Sequence, residues 1–218
     1  WSGISPQVTM LEIGSGIGRM TSAFTRRFDS TIATDVDAAF LERCRETVSR
    51  FGRPSALSTV HIEDGSSISV PDDSVDAVFS YITLQHCKAS DALRLTSEAM
   101  RIVKPGGYVA LNYRTWVPED GLLVPAGVLM RQLWRIPVVG QRLSQWRWST
   151  RLGWQANRLD PRRVLALLEA SNVEFDDLAI LHHPGRPQKQ VSYAGEPVRQ
   201  RDLDVANKSH WWLVARCH

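Results

Sequence analysis

Acid is missing from one whole stretch of this 218-residue chain: between Gly121 and Leu159 there is no Asp or Glu. The same window holds Arg131, Arg135, Arg142, Arg147, Arg151 and Arg158, and half of the eight tryptophans, Trp134, Trp146, Trp148 and Trp154. A net charge of +3 therefore conceals a basic insert in an otherwise slightly acidic chain. Cysteine is scarce. Cys44, Cys87 and Cys217 are scattered, odd in number and without metal-ligand spacing. This argues against a disulfide framework or a cysteine metal site, and it fits a reducing, cytoplasmic setting. No run of about 18 uncharged apolar residues occurs, so no transmembrane helix is expected. Repeats and low-complexity tracts are absent too. With 43% hydrophobic residues, the length suits one domain carrying an insertion.

What is present begins at Leu11-Glu12-Ile13-Gly14-Ser15-Gly16-Ile17-Gly18-Arg19. Val8 to Ile13 reads as a buried strand, and Ile17, Met20, Phe24 and Phe28 recur at helical spacing directly after it. The glycines thus occupy a strand-to-helix turn, where backbone can approach a ligand closely and helix-end N–H groups face it. The third glycine comes one residue early for the dinucleotide fingerprint. Glu12 would gain a pyrophosphate nothing and suits a ligand with a cationic end. Thr31 to Thr34 reads as a second strand ending at Asp35, a carboxylate placed to hold ribose hydroxyls. Phe40, Leu41, Cys44, Val48 and Phe51 share a helical face that Gly52 ends. Val60 to Gly65 reads as a third strand end, where Asp64 can accept from an exocyclic amine. Three acids at successive strand ends, with one glycine loop, point to a single crevice, although Asp and Glu are also ordinary turn residues.

These motifs resemble, in order, those of the class I S-adenosylmethionine-dependent methyltransferases, in particular the bacterial set that methylates small molecules. Leu11–Arg19 is similar to the family's first motif, Asp35-Val36-Asp37 to the end of its second strand, and Glu63-Asp64-Gly65 to its adenine-contacting turn. Asp73–Ser80 is similar to its fourth strand and Val103–Val109 to the Lys-Pro-Gly-Gly turn before its fifth. The resemblance covers residues 8–114 and, more loosely, 160–218. It implies S-adenosylmethionine as cofactor, held by Glu12, Gly14, Ser15, Gly16, Gly18, Asp35, Val36, Asp64, Gly65, Ser80 and Tyr81. It also implies a Rossmann-like α/β fold, with a mostly parallel seven-stranded sheet and helices on both faces. The family usually has one or two helices ahead of the first strand. About seven residues precede it here, so either the N-terminal part is missing from this sequence or the cap formed by 115–159 closes over the cofactor alone.

The expected order is strand 8–13, helix 18–28, strand 31–34, helix 38–51, strands 57–62 and 76–82, helix 91–103 capped by Ser90 or Asp91, and strand 108–114. The basic stretch 115–159 follows as a cap over the crevice. Asp160-Pro161 then opens a helix burying Val164, Leu167 and Leu168. Strands at 175–181 and 211–216 complete the core segment 160–218, with the polar segment 184–210 as a hairpin excursion or loop.

Transfer of a methyl group to a hydroxyl needs alignment and a base. His86, after the fourth strand, is the candidate base, against a purely structural role. Tyr113 and Arg114 at the end of the fifth strand are expected to position substrate. His182 and His183 read as turn or surface residues. Glu119-Asp120 could hold a divalent ion, but no further ligand is paired with them, and no metal is assigned. In the cap, Trp134, Trp146, Trp148, Arg151 and Trp154 are expected to meet substrate, since Trp faces stack on sugars and Arg forks bind anions. This favours O-methylation of a carbohydrate, such as a mannoside or polysaccharide precursor, or of another polar small molecule. A second reading is an interfacial helix of Leu122, Leu123, Val128, Leu129, Met130, Leu133 and Trp134 with Arg131 and Arg135, reaching a lipid or quinone at a membrane surface. A third is a regulatory S-adenosylmethionine-binding protein that transfers nothing. Nucleic acid is not expected, because Ser80-Tyr81-Ile82-Thr83 lacks the Asn/Asp-Pro-Pro-aromatic motif of amino-directed nucleic-acid methyltransferases.

Overall fold

A computed structural model describes residues 4–153, 157–186, 189–204 and 208–218, apart from the side chains of 150, 151 and 153. The chain alternates strands and helices from the start: β1 (Thr9–Ile13), α1 (Arg19–Arg27), β2 (Ser30–Asp35), α2 (Ala38–Phe51), β3 (Leu57–His61), β4 (Val75–Ser80), α3 (Ala89–Ile102) and β5 (Val103–Arg114). Three helices follow, α4 (Asp120–Trp134), α5 (Pro137–Ser144) and α6 (Arg147–Gly153). Then come α7 (Pro161–Ala170), β6 (Phe175–His182), β7 (Ser192–Tyr193), β8 (Glu196–Pro197), β9 (Arg199–Asp202) and β10 (His210–Cys217).

One sheet organises the molecule, in the order β3-β2-β1-β4-β5-β10-β6-β9. The β1–β2, β2–β3, β1–β4 and β4–β5 pairs are parallel, whereas β10 runs antiparallel between β5 and β6. The sheet has eight strands rather than the expected seven. The additional strand, β9, lies in the polar 184–210 segment and pairs parallel with β6. Its sequence, Arg-Gln-Arg-Asp, has no apolar periodicity because an edge strand buries little. In the same segment β7 and β8 form a hairpin over Ala194-Gly195, both at positive φ.

Neighbouring residues of β10 show that both sheet faces are used. Trp211 is fully buried and stacks on Tyr113 at 4.5 Å, on the side of α3. Trp212 turns the other way, to Phe79 at 5.6 Å, and Phe79 meets Phe24 of α1 at 5.1 Å. The main core joins Leu11, Ile13, Val78, Ile102, Leu111, Leu165, Leu168 and Trp211.

The helix over 19–27 forms as expected, but its apolar row divides: Phe24 and Phe28 pack into the cluster of Met10, Ala77 and Phe79, whereas the earlier members point outward. Ile17 and Met20 are 41% and 39% exposed, and the buried side is Thr21, Ser22 and Thr25. Close packing explains this. A Cβ on Gly18 would sit 2.8 Å from Cys44 Sγ of α2, and one on Gly52 2.6 Å from Thr25 Oγ1. Small residues are needed where α1 meets α2. The α2 helix is capped by Asp37, whose side chain accepts from the Ala39 N–H, and α7 by Asp160, which accepts from the Arg162 N–H with Pro161 following. In α7 the buried face is Val164, Leu165 and Leu168, so Leu165 takes the place expected for Leu167. α3 begins after Lys88 with no side-chain cap, ahead of Ser90 and Asp91.

Candidate cofactor and acceptor site

The site is built at the carboxyl ends of β1, β2 and β4. Gly14, Gly16 and Gly18 adopt φ of +75°, +53° and +85°, a region open to glycine and strained for other residues. Their reasons differ. A Cβ on Gly14 would lie 2.0 Å from Thr83 Cγ2, whereas one on Gly16 would meet nothing within 4 Å. The Gly14 and Ser15 N–H groups both donate to Thr34 O at 2.8 Å, pinning the loop to β2. The Gly16 N–H donates to Asp35 Oδ2 at 2.8 Å and the Asp37 N–H to Asp35 Oδ1 at 3.0 Å. Asp35 therefore fastens the glycine loop to the end of β2 and is itself nearly buried.

Glu12 is buried beside this loop, with Thr21 Oγ1 donating to its Oε2 at 2.5 Å. Burial, with a smaller push from the Asp35 charge and against the Thr21 hydrogen bond, raises its pKa to about 8. Asp64 is exposed, and its carboxylate accepts from the Ser66 and Ser67 N–H groups and from Ser67 Oγ. The Ser67 hydroxyl first, then these N–H groups, lower its pKa to about 2. Gly65 beside it, at φ +74°, leaves open space on its Cβ side. Two open glycine cradles, flanked by the acids Glu12, Asp35 and Asp64, fit a ligand carrying a cation, a ribose and an amine-bearing base.

The remaining expected cofactor residues are placed less simply. Val36 is exposed, and its carbonyl lies 3.1 Å from His61 Nε2. Ser80 is fully buried and donates to Ile13 O, so its hydroxyl ties β4 to β1 rather than facing a ligand. The Tyr81 ring stacks on Trp212 at 5.5 Å.

The loop after β4 turns through Ile82 at φ +67°, an outlying conformation for a β-branched residue. It is held by the Ile82 N–H donating to Asn112 Oδ1 of β5. Backbone strain of this kind persists only where surroundings impose it, and it clusters at functional sites. The turn carries Thr83, which closes on Gly14 by donating to its carbonyl at 3.1 Å, and then His86, whose N–H donates to Thr83 O at 2.8 Å. The His86 Nε2 lies 3.4 Å from Gln85 Nε2.

Two substrate expectations are corrected. Tyr113 does not face the crevice. It is fully buried, stacked on Trp211, with its hydroxyl 2.7 Å from Thr96 Oγ1, and burial drives its pKa up. The alternation of β5 points its side chain under α3. Arg114, one residue on, is partly exposed but committed to Asp120, as is Arg158, at 2.9 and 2.6 Å. Burial works to raise the Asp120 pKa; the Arg158 hydrogen bond and both arginine charges outweigh it and hold the carboxyl below its usual range. Asp120 is thus the buried tether of the cap rather than a metal ligand. Among the described residues no group of three His, Cys, Asp or Glu could hold a metal ion.

In the cap, Trp134 Nε1 donates to Ser149 Oγ at 3.0 Å, joining α4 to α6. Trp146 and Trp148 lie 5.7 Å apart and are 53% and 49% exposed. They face solvent. Trp154 and the Arg151 side chain lie outside the described residues.

Two site residues were invisible in the sequence. Asn157 latches the root of the cap to the histidine loop: its N–H donates to Gln85 O at 2.7 Å, and its amide to Leu84 O and Cys87 O. No local pattern marks that role. His210 opens β10, paired with Arg114. Because β10 is antiparallel, its first residue lies where the parallel strand β5 ends. Burial, then the Arg114 and His86 charges, lowers the His210 pKa, which places a second imidazole within electrostatic reach of His86. The antiparallel strand was the signal that could have found it.

Residues 11–111 match the family described as "Methyltransferase domain". The chain is 27% identical over 150 residues to 2-methyl-6-phytyl-1,4-hydroquinone methyltransferase of Synechocystis, covering 67% of this chain and 43% of that protein. It is 29% identical over 110 residues to malonyl-[acyl-carrier protein] O-methyltransferase of Methylococcus capsulatus, covering 49% of this chain and 38% of the relative. The chain spans only about two fifths of the length of these curated relatives. A solved SAM-dependent methyltransferase of Methanosarcina mazei superposes with a TM-score of 0.57 at 16% identity, over 99% of this chain and 94% of its own, and so shares the fold. The glycine loop and the acid-lined strand ends all fall within residues 11–111, the part of the chain that is similar to the methyltransferase-domain family.

Proposed function

We propose that this protein methylates a hydroxyl of a small molecule, with His86 as the base. The observation that carries the reading is the strained turn at Ile82, which holds His86 beside the glycine loop at the crevice mouth. Bound S-adenosylmethionine supplies a methyl group on a sulfonium, which an acceptor oxygen takes as the carbon–sulfur bond breaks. The chain's own residues divide the remaining work. Glu12 and Asp35 orient the cationic and ribose parts, Asp64 and Gly65 receive the adenine, and His86 removes the hydroxyl proton.

Carbohydrate acceptors find support in the Trp- and Arg-rich composition of the cap. A lipid or quinol acceptor finds more specific support, because Trp146 and Trp148 face solvent among exposed apolar residues, and because one relative is named for a phytyl-bearing hydroquinone. Incubation with methyl-labelled S-adenosylmethionine and a panel of sugars, phenols, quinols and lipids tests both readings, following S-adenosylhomocysteine release. His86→Ala is expected to slow transfer about 10²–10⁴-fold while leaving cofactor affinity unchanged. Near-normal turnover of that variant would assign His86 a structural role, whereas cofactor binding by the unaltered protein with no transfer to any acceptor would favour the regulatory reading.

A further inference from the structure

The surface that α4 and α5 present is unusual for a water-soluble face. Of the 15 residues of α4, only Asp120, Gly127 and Met130 are buried, and of the 8 of α5 only Gly140. Leu122 is 77% exposed, Leu129 61% and Val138 69%, joined by Val128, Ile136, Trp116, Trp146 and Trp148. An apolar patch of this extent marks an interaction surface.

Charge selects the partner. The patch is interleaved with Arg135, Arg142 and Arg147, all exposed, inside a window with six arginines and no acid. The rest of the chain is slightly acidic, so this acid-free face is the one that its charge directs toward an anionic surface. Trp at the rim of an apolar face is the side chain that settles at a membrane–water interface. The geometry excludes spanning: at about 1.5 Å per residue α4 is shorter than the hydrocarbon core, and no helix among the described residues is long and apolar enough to cross a membrane. Helices with an apolar face, arginines and tryptophans lie in the interface plane instead.

We propose that α4 and α5 dock this protein on an anionic lipid surface, with the crevice mouth turned toward the bilayer. The cap is tethered there by Asp120 to Arg114 and Arg158, and by Asn157 to the His86 loop. The docking itself does not depend on the methyl-transfer reading; only its use, delivery of a lipid-borne acceptor, rests on it.

The test is sedimentation of the full chain with vesicles of phosphatidylcholine alone and of phosphatidylcholine with phosphatidylserine, at low and high salt. Partition onto the anionic vesicles at least about tenfold above the neutral ones, falling with salt, is expected. Arg135→Glu/Arg142→Glu and, separately, Leu122→Ser/Leu129→Ser should each cut that partition about tenfold or more. All four positions are exposed, so S-adenosylmethionine affinity by calorimetry and the circular dichroism spectrum should stay unchanged. No partition onto either vesicle would overturn the proposal. So would partition insensitive to both double substitutions, or a concentration-dependent dimer that hides the patch from vesicles. Loss of vesicle binding with cofactor binding intact would leave the methyl-transfer reading standing; normal docking with no transfer to any acceptor would do the reverse.

Discussion

Glu12 and Asp35 are two acids with opposite habits. Asp35 has both carboxylate oxygens occupied by backbone N–H groups, so it fixes the glycine loop to the end of β2. Asp35→Ala removes two charge-assisted bonds and is expected to weaken S-adenosylmethionine binding about 10–100-fold, read by calorimetry; unchanged affinity would refute the ribose assignment. Glu12, with its pKa raised from 4.5 to about 8, holds its proton near neutrality. The folded state then binds more protons than the unfolded one between these values, so this group's contribution to stability is fully present below about 4.5 and is lost as pH rises through about 8. A cation brought beside Glu12 favours its anion, so cofactor binding should release a proton and tighten as pH rises toward 8. Calorimetry in buffers of different ionisation enthalpy reads that proton directly, and Glu12→Gln should abolish both the release and the pH dependence. The acid itself was legible from its position before the glycines. Its protonation was not, because it depends on burial and on Asp35, 23 residues along the chain.

At the scale of elements, the glycine loop separates folding from binding. Gly16→Ala places a methyl group in open space at φ +53°, costing about 1–2 kcal/mol of backbone strain while filling the cradle. The expected result is a modestly lowered melting temperature with cofactor binding lost. Gly14→Ala drives a Cβ into Thr83, and it should unfold the loop and lower the melting temperature further. The same alternation of strand and helix that revealed β1 to β5 in the sequence concealed three things. The α1 periodicity marked a helix but not its contact with α2, which is made by the small side chains Thr21, Ser22 and Thr25. Tyr113 sits at the right strand end for a substrate contact, but pleat parity sends it under α3. The edge strand β9 carries no apolar signature at all. The Asp120 tether leaves no local signature in the sequence, because its partners, Arg114 and Arg158, lie 6 and 38 residues away. Asp120→Ala leaves two partly buried guanidinium groups without their shared partner. It should destabilise the protein by about 1–3 kcal/mol and make the cap the first site of limited proteolysis.

Over the whole molecule, the parallel core and the cap are unequal in packing. The strands share a continuous core, whereas α4, α5 and α6 pack chiefly on one another. Hydrogen exchange should accordingly find the cap opening at lower free energy than β1, β4, β5 and β10, in a separate step. The root of that cap is Asn157, bonded to the carbonyls of Leu84, Gln85 and Cys87 on either side of His86. On the proposed reading of His86 as the base, an opening that starts at this root would also release the loop that carries it, so acceptor entry by that route and removal of its proton would belong to different conformations.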